Sequence, residues 1–230
     1  ADGIAEMPSG FDTSSALVER VQTSPGVFED LLYIGSRNGK VYCIEMRGRG
    51  DQTATEYGST RRRWSWPDDF PAAPSTEYFG AITGSISFSN AGGTPKILVP
   101  TPTGRLYALD AVGTAATKTT TVTWQFPAAT DPAIGAMTTA PVADFGRVYL
   151  GTGDGRMVAL DATTGLQAWQ RTNGAGGAFT GFLSSPTTAP DAALATLPDT
   201  VFFSNGLWVY AVRADNGATL WEANETNSSA

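Results

Sequence analysis

One short pattern recurs along the chain and restricts its fold more than any other feature. Residues 148–161 read VYLGTGDGRMVALD, in which two apolar runs flank a polar turn that contains glycine. The same arrangement occurs at residues 31–45, 97–110 and 201–213. Apolar residues that alternate or cluster over about four to six positions are typical of β-strands rather than of helices. Each copy is therefore predicted to be a β-hairpin.

A glycine stands near the end of the polar turn in each copy. These turn glycines are Gly39, Gly104, Gly155 and Gly206. Each follows Asn, Thr or Asp, and this combination suits a tight hairpin turn whose backbone needs a positive φ. The glycines therefore indicate the same kind of turn in all four hairpins.

The repeat extends beyond the hairpin to a tryptophan in a further short apolar segment. These tryptophans are Trp64, Trp124, Trp169 and Trp221. Equivalent positions recur about every 50 residues, with a longer first interval that holds a polar insertion near residues 47–63. A period of about 50 residues with about four short strands per unit is typical of the blades of a β-propeller.

The repetition has a physical reason. A lone four-stranded sheet exposes both faces, and stacking blades around an axis covers each face with a neighbouring sheet. We therefore predict an all-β, single-domain protein over residues 1–230, with each tryptophan between adjacent blades. The approximate limits of the four predicted blades are residues 15–66, 78–126, 134–171 and 180–223.

The segment ALDATTGLQAW at residues 159–169 resembles the tryptophan-docking motif of the quinoprotein, or PQQ-type, β-propellers. Residues 211–221 are a close second copy, residues 108–124 are a third with a longer loop, and residues 42–64 are a degenerate fourth. The resemblance implies a structural docking role for the repeated tryptophans and for two glycines: Trp64, Trp124, Trp169, Trp221, Gly165 and Gly217.

The family that this chain resembles contains PQQ-dependent dehydrogenases and non-enzymatic members such as BamB, and the chain is nearer to the latter. Propellers of the family usually close with seven or eight blades. Four units therefore imply either a compact ring of four or an arc of a larger ring, and we favour the arc. The missing blades would come from further sequence or from another chain.

The residues needed for several kinds of chemistry are missing from the sequence. There is no histidine and only one cysteine, Cys43, which argues against a Ser-His triad and against a structural zinc site. The resemblance implies PQQ, calcium, an Asp base and an adjacent-cysteine disulfide in the dehydrogenases, and one cysteine cannot form that disulfide. Asp110 and Asp161 fall in separate blades and are interpreted as turn-capping residues. We predict no catalytic, cofactor-binding or metal-binding residue and no cofactor.

The composition of the chain limits the kinds of partner that it is expected to bind. The net charge is −7 and the isoelectric point is about 4.5, which argues against a nucleic-acid partner. The sequence contains no window of 18 consecutive apolar residues, so we predict no membrane insertion. The cluster Arg61, Arg62 and Arg63 with Trp66 is a candidate contact for a protein partner. The alternative is a strand whose arginines alternate into solvent.

These observations favour a non-catalytic scaffold or binding subunit of an extracytoplasmic or membrane-associated multiprotein assembly. One alternative is a fragment of a PQQ-dependent dehydrogenase. Another is a cell-surface carbohydrate-binding or adhesion module, with Trp66, Tyr78, Phe79 and Trp208 as sugar-stacking rings. The chain begins Ala-Asp-Gly, which suits a mature end after signal-peptide removal and hence an extracytoplasmic location.

Overall fold

The computed structural model describes residues 14–46, 61–67, 80–191 and 198–224. The described residues form four antiparallel sheets of four strands each, together with one small hairpin. The predicted all-β fold with four-stranded blades is therefore confirmed, in the form of a partial β-propeller.

The blades follow one another along the chain. Blade 1 consists of β1 (Leu17–Ser24), β2 (Val27–Gly35), β3 (Val41–Glu45) and β4 (Arg61–Trp66). Blade 2 consists of β5 (Ser87–Ser89), β6 (Lys96–Pro100), β7 (Leu106–Asp110) and β8 (Val122–Phe126). Blade 3 consists of β9 (Val142–Asp144), β10 (Arg147–Thr152), β11 (Arg156–Asp161) and β12 (Gln167–Arg171). The small hairpin consists of β13 (Asn173–Gly174) and β14 (Gly177–Ala178). Blade 4 consists of β15 (Thr187–Ala189), β16 (Thr200–Asn205), β17 (Trp208–Arg213) and β18 (Thr219–Asn224).

Each blade is a simple meander in which sequential strands pair. The first strands of blades 2, 3 and 4 are neighbours, because β9 contacts both β5 and β15. This contact places the short first strands on the side where the blades converge. The last strand of each blade, which carries the tryptophan, lies on the opposite side of the sheet.

The apolar core lies between the blades rather than within a single blade. One buried cluster joins blades 1 and 2, a second joins blades 2 and 3, and a third joins blades 3 and 4. Cys43 is fully buried in the first cluster, and burial raises the pKa of its thiol. Each blade thus depends on the next to cover one of its apolar faces.

The turn between the second and third strands of a blade supports the segment that enters the next blade. Gly104 has a φ of 83°, and its carbonyl accepts the N–H of Ile134 at 3.2 Å. Gly155 has a φ of 82°, and a Cβ atom there would overlap the backbone carbonyl of Phe179. These glycines therefore satisfy two requirements at once, a left-handed backbone and a close approach of another segment.

We predict that Gly155→Ala lowers the free energy of unfolding by about 2–4 kcal/mol, because left-handed strain and overpacking add. The matched control is Gly146→Ala in the same blade, where φ is 70° and a Cβ atom would meet nothing within 4 Å. That control is expected to lose only about 1–2 kcal/mol. Denaturant unfolding of both variants measures the difference, and equal losses would contradict the packing role of Gly155.

Candidate functional site

Three of the four repeat tryptophans make the same contact between blades. Each indole Nε1–H donates to a backbone carbonyl of the following blade: Trp64 to Ala111 at 3.2 Å, Trp124 to Ala162 at 3.2 Å and Trp169 to Ala214 at 3.0 Å. The exposed fractions of these tryptophans are 0%, 8% and 8%. A buried indole thus keeps its polar donor satisfied while its ring fills the space between the two sheets.

A tyrosine reinforces two of the three junctions. The hydroxyl of Tyr33 donates to the Ala111 carbonyl at 3.0 Å, and that of Tyr149 donates to the Ala214 carbonyl at 3.1 Å. In both junctions the phenol and indole ring centroids lie 5.9 Å apart. Burial raises the pKa of both phenols, so they remain protonated donors.

A glycine in the following blade makes room for each indole. Gly113, Gly165 and Gly217 have φ values of 56°, 73° and 72°. A Cβ atom on Gly165 would lie 2.6 Å from the Trp124 ring, and one on Gly217 would lie 2.8 Å from the Trp169 ring. The motif glycine therefore accommodates the indole of the preceding blade and not the tryptophan four residues after it.

Trp221 differs from the other three tryptophans and from the expected position between blades. It packs on Phe202 with ring centroids 5.8 Å apart, much as Trp64 packs on Tyr33, but 39% of its surface is exposed. The reason is that no blade follows blade 4 among the described residues. Blade 4 therefore presents the tryptophan half of a junction without the glycine half.

A β-bulge precedes every one of these tryptophans. In blade 1, Cys43 pairs with Trp64 and Ile44 pairs with Arg62, which leaves Arg63 outside the pairing. The same irregularity occurs before Trp124, Trp169 and Trp221. A bulge breaks the alternation of side chains between the two faces of a strand. Sequence analysis missed these bulges because a bulge has no signature in the apolar pattern.

The bulge places one member of the arginine cluster inside the protein. Arg63 is buried, donates from Nε to the Val112 carbonyl of blade 2 at 2.7 Å, and pairs with Glu29 at 2.7 Å and Glu45 at 3.2 Å. Its guanidinium is thus engaged inside the protein. Arg62 is half-buried, and Arg61 begins β4.

The aromatic residues considered for partner or sugar contacts occupy different surroundings. Trp66 is buried against Tyr107, with ring centroids 4.8 Å apart, so its ring is not offered to a ligand. Trp208 is half-buried beside Tyr210. Tyr78 and Phe79 lie outside the described residues.

The acidic side chains at the ends of the third strands bind their own turns. Asp161 accepts hydrogen bonds from the N–H of Thr163 at 3.0 Å, the N–H of Thr164 at 2.8 Å and the Thr164 hydroxyl at 2.9 Å. The hydrogen bonds from Thr164 hold the pKa of this carboxyl below its usual range. Asp110 accepts the N–H of Val112 at 3.0 Å. Both residues cap turns in separate blades.

Within the described residues, the acidic side chains do not fit a quinone-and-calcium site. Asp110 and Asp161 are turned into their own loops rather than toward a common point. Within the described ranges, no group of three or more His, Cys, Asp or Glu side chains could hold a metal ion. In that same part of the chain, no helix is both long and apolar enough to cross a membrane.

Comparison with known proteins shows which family shares this arrangement. Residues 61–229 match the family profile described as "Outer membrane protein assembly factor BamB". Among solved structures, quinohemoprotein alcohol dehydrogenase from Comamonas testosteroni has a TM-score of 0.62 and 17% identity, over 96% of this chain and 36% of that chain. A quinohemoprotein alcohol dehydrogenase from Pseudomonas putida HK5 has a TM-score of 0.59 and 19% identity, over 95% of this chain and 34% of that chain.

A third solved structure, BamB from Moraxella catarrhalis, is 21% identical over 93% of this chain and 64% of that chain, with a TM-score of 0.45. This chain spans less than two thirds of the length of each of these three structures. At such identities the two dehydrogenase matches establish the fold alone. No curated protein sequence matches the chain.

The junction contacts predict a large loss on removing one indole. Trp169→Ala should lower the free energy of unfolding by about 3–5 kcal/mol, because it deletes a buried ring and leaves a cavity between two blades. Leu166→Ala, at an exposed side chain of the same blade, should change it by no more than about 0.5 kcal/mol. Equilibrium denaturation measures both values. A loss below about 1 kcal/mol for Trp169→Ala would contradict the junction role.

The turn cap at Asp161 predicts a pH dependence. A depressed carboxyl pKa in the folded state means that the ionised cap contributes stability above the unfolded pKa of about 3.9 and that this contribution disappears as pH falls through the folded pKa. Asp161→Asn should therefore be less stable than the parent by about 1 kcal/mol at pH 7, with the difference narrowing in acid. Thermal unfolding from pH 7 to pH 2 tests this. A difference that does not depend on pH would show that the charge of the cap is unimportant.

Proposed function

Because the chain belongs to the PQQ-type repeat family described as outer membrane protein assembly factor BamB, we propose that it is a non-catalytic β-propeller scaffold or binding subunit of a multiprotein assembly. The assembly is extracytoplasmic or membrane-associated, and the partners are proteins. The family match over residues 61–229 is the observation that carries this proposal.

The uses of the charged side chains support a structural rather than a catalytic role. Arg63 links blades 1 and 2 through Glu29, Glu45 and the Val112 carbonyl. Arg171 links blades 3 and 4, since it contacts the Gly217 carbonyl at 3.2 Å and Glu222 at 3.2 Å. These cations hold sheets together, which is the work expected in a rigid platform for other proteins.

One end of blade 4 offers a surface for a protein partner. Phe182 and Leu207 are large apolar side chains that are exposed there. The Asn205 side chain fixes the two segments together, because it donates to the Thr180 carbonyl at 2.9 Å and accepts the Thr180 N–H at 3.2 Å. Exposed apolar side chains on rigid segments favour protein contacts. We propose this surface as a candidate partner contact, since Arg63 of the arginine cluster is engaged inside the protein.

The alternative function is that of a piece of a PQQ-dependent dehydrogenase, and the fold shared with two quinohemoprotein alcohol dehydrogenases favours it. The test that separates the two functions is dye-coupled oxidation of primary alcohols and aldoses by the protein incubated with PQQ and Ca²⁺. We expect no rate above that of PQQ and Ca²⁺ without protein. Robust, protein-dependent oxidation would overturn the scaffold proposal.

The partner role is tested by reciprocal co-purification of the tagged protein from cell-envelope extract. We expect a complex of defined stoichiometry that the double variant Phe182→Ser/Leu207→Ser weakens at least about tenfold. Leu166→Ser, which removes another exposed apolar side chain, is the matched control and should leave the complex intact. Absence of any reciprocal complex would contradict the scaffold role.

A further inference from the structure

Among the described residues, the outer side of blade 4 is an unfilled copy of the tryptophan side of an internal junction. Its outward residues, here named the donor face, are Phe202, Val209, Ala211 and Trp221. At the same register, blade 2 uses Leu98, Leu106, Ala108 and Trp124 to pack against blade 3. Every position of the donor face is therefore apolar, as in the filled junction. In blade 4, Val209 and Trp221 are exposed.

The outer side of blade 1, as far as the described residues show it, is an unfilled copy of the opposite, receiving side. Its outward residues, here named the acceptor face, are Leu32, Ile34, Ile44 and Met46. At the same register, blade 3 uses Val148, Leu150, Leu160 and Ala162 to receive blade 2. The acceptor face is thus also apolar apart from the hydroxyl of Tyr42, which takes the register of Val158 and accepts a hydrogen bond from Asn38 at 2.7 Å. Leu32, Ile34 and Ile44 are only half-buried, and Met46 is 51% exposed.

The backbone at Met46 is built like the indole-accepting position of the internal junctions. There, the accepting residue has its N–H bonded to the residue that precedes the second strand: Ala111 to Pro95 at 3.1 Å, Ala162 to Gly146 at 3.0 Å and Ala214 to Asp199 at 2.9 Å. Met46 makes the same bond to the Asp30 carbonyl at 3.1 Å. Blade 1 thus holds an acceptor position in the same strand-end geometry, with no indole on it among the described residues.

The glycine turn of blade 4 gives an independent sign of the same vacancy. In blades 2 and 3, Gly104 and Gly155 lie against the backbone of the segment that enters the next blade. The turn of blade 4 is one residue shorter than that of blade 3, so Leu207 takes the position of Gly155, and its side chain is 68% exposed. The space that an entering segment occupies at the internal junctions is therefore open at the end of blade 4.

We propose that a second copy of this chain covers these faces, with the donor face of one copy on the acceptor face of the other. The two faces lie on the first and last described blades, and they match the internal junctions in their apolar residues and in the accepting backbone position at Met46. The contact is head-to-tail, and two such contacts between two copies close a ring of eight blades. Trp221 then donates to the Met46 carbonyl of the second copy. This inference does not depend on the function proposed above.

The first test is the mass of the protein in solution, measured by light scattering during size-exclusion chromatography across a range of concentrations. We expect twice the mass of the 24.1 kDa chain. A mass of one chain at all concentrations would overturn the proposal and leave the faces to another occupant, such as further blades of a longer polypeptide. A mass above two copies would overturn closure by two copies.

Three variants identify the faces. Trp221→Glu introduces a charge into the donor face, and Ile44→Glu introduces one into the acceptor face. Each should therefore raise the dissociation constant of the dimer by about thirtyfold or more. Leu166→Ala, at an exposed position of an internal blade, is the matched control and should dimerise like the parent. Circular dichroism of each variant checks folding. A dimer that survives either Glu substitution would overturn the assignment of the faces.

Mixing the two Glu variants separates head-to-tail docking from docking of like faces. The mixture retains one intact donor face and one intact acceptor face, so it should form a one-to-one complex that neither variant forms alone. If two donor faces docked on each other instead, Ile44→Glu alone would still dimerise and mixing would add nothing. That result would overturn the head-to-tail arrangement.

Discussion

The contact on which the rest of the structure depends joins the indole of one blade to the backbone carbonyl of the next. A four-stranded sheet of this size cannot bury its own faces, so its stability comes from its neighbour. At each internal junction the indole supplies a large apolar surface and donates its N–H to a buried carbonyl, which at two junctions also accepts a tyrosine hydroxyl. The indole ring is thus buried while its own polar donor stays satisfied.

This contact requires several backbone features to be present together. The bulge before each tryptophan turns the last strand so that the indole reaches the next blade, and the positive φ of the facing glycine leaves room for the ring. A side chain at Gly217 would strike the Trp169 ring, and a regular strand would present different residues to that blade. The free energy of unfolding is therefore approximately a sum of contributions from each blade and from each contact between neighbouring blades, as in other repeat proteins.

The hairpins, their glycine turns and the all-β class were accessible from the sequence because they rest on local patterns of apolar residues and turn residues. The partners of each indole were not accessible, because they lie about 40–50 residues away and act through backbone atoms that any residue carries. The burial of Arg63 was not predicted, for a related reason. Alternation along β4 predicts that the Arg63 side chain points into solvent, but Arg63 is the unpaired residue of a bulge and its side chain points into the protein instead.

The same logic explains why the ends of the chain differ chemically from its middle. An internal blade uses both of its faces, so its tryptophan, accepting carbonyl and motif glycine are all engaged. Blades 1 and 4 keep the bulge before the tryptophan, although Met46 stands in blade 1 where the other blades have an accepting alanine. Among the described residues, each of these two blades engages only one of its two faces. Trp221 and Met46 are therefore exposed as a consequence of position and not of a different local structure. Chemistry that is structural in the interior of such a repeat becomes a binding surface at its ends.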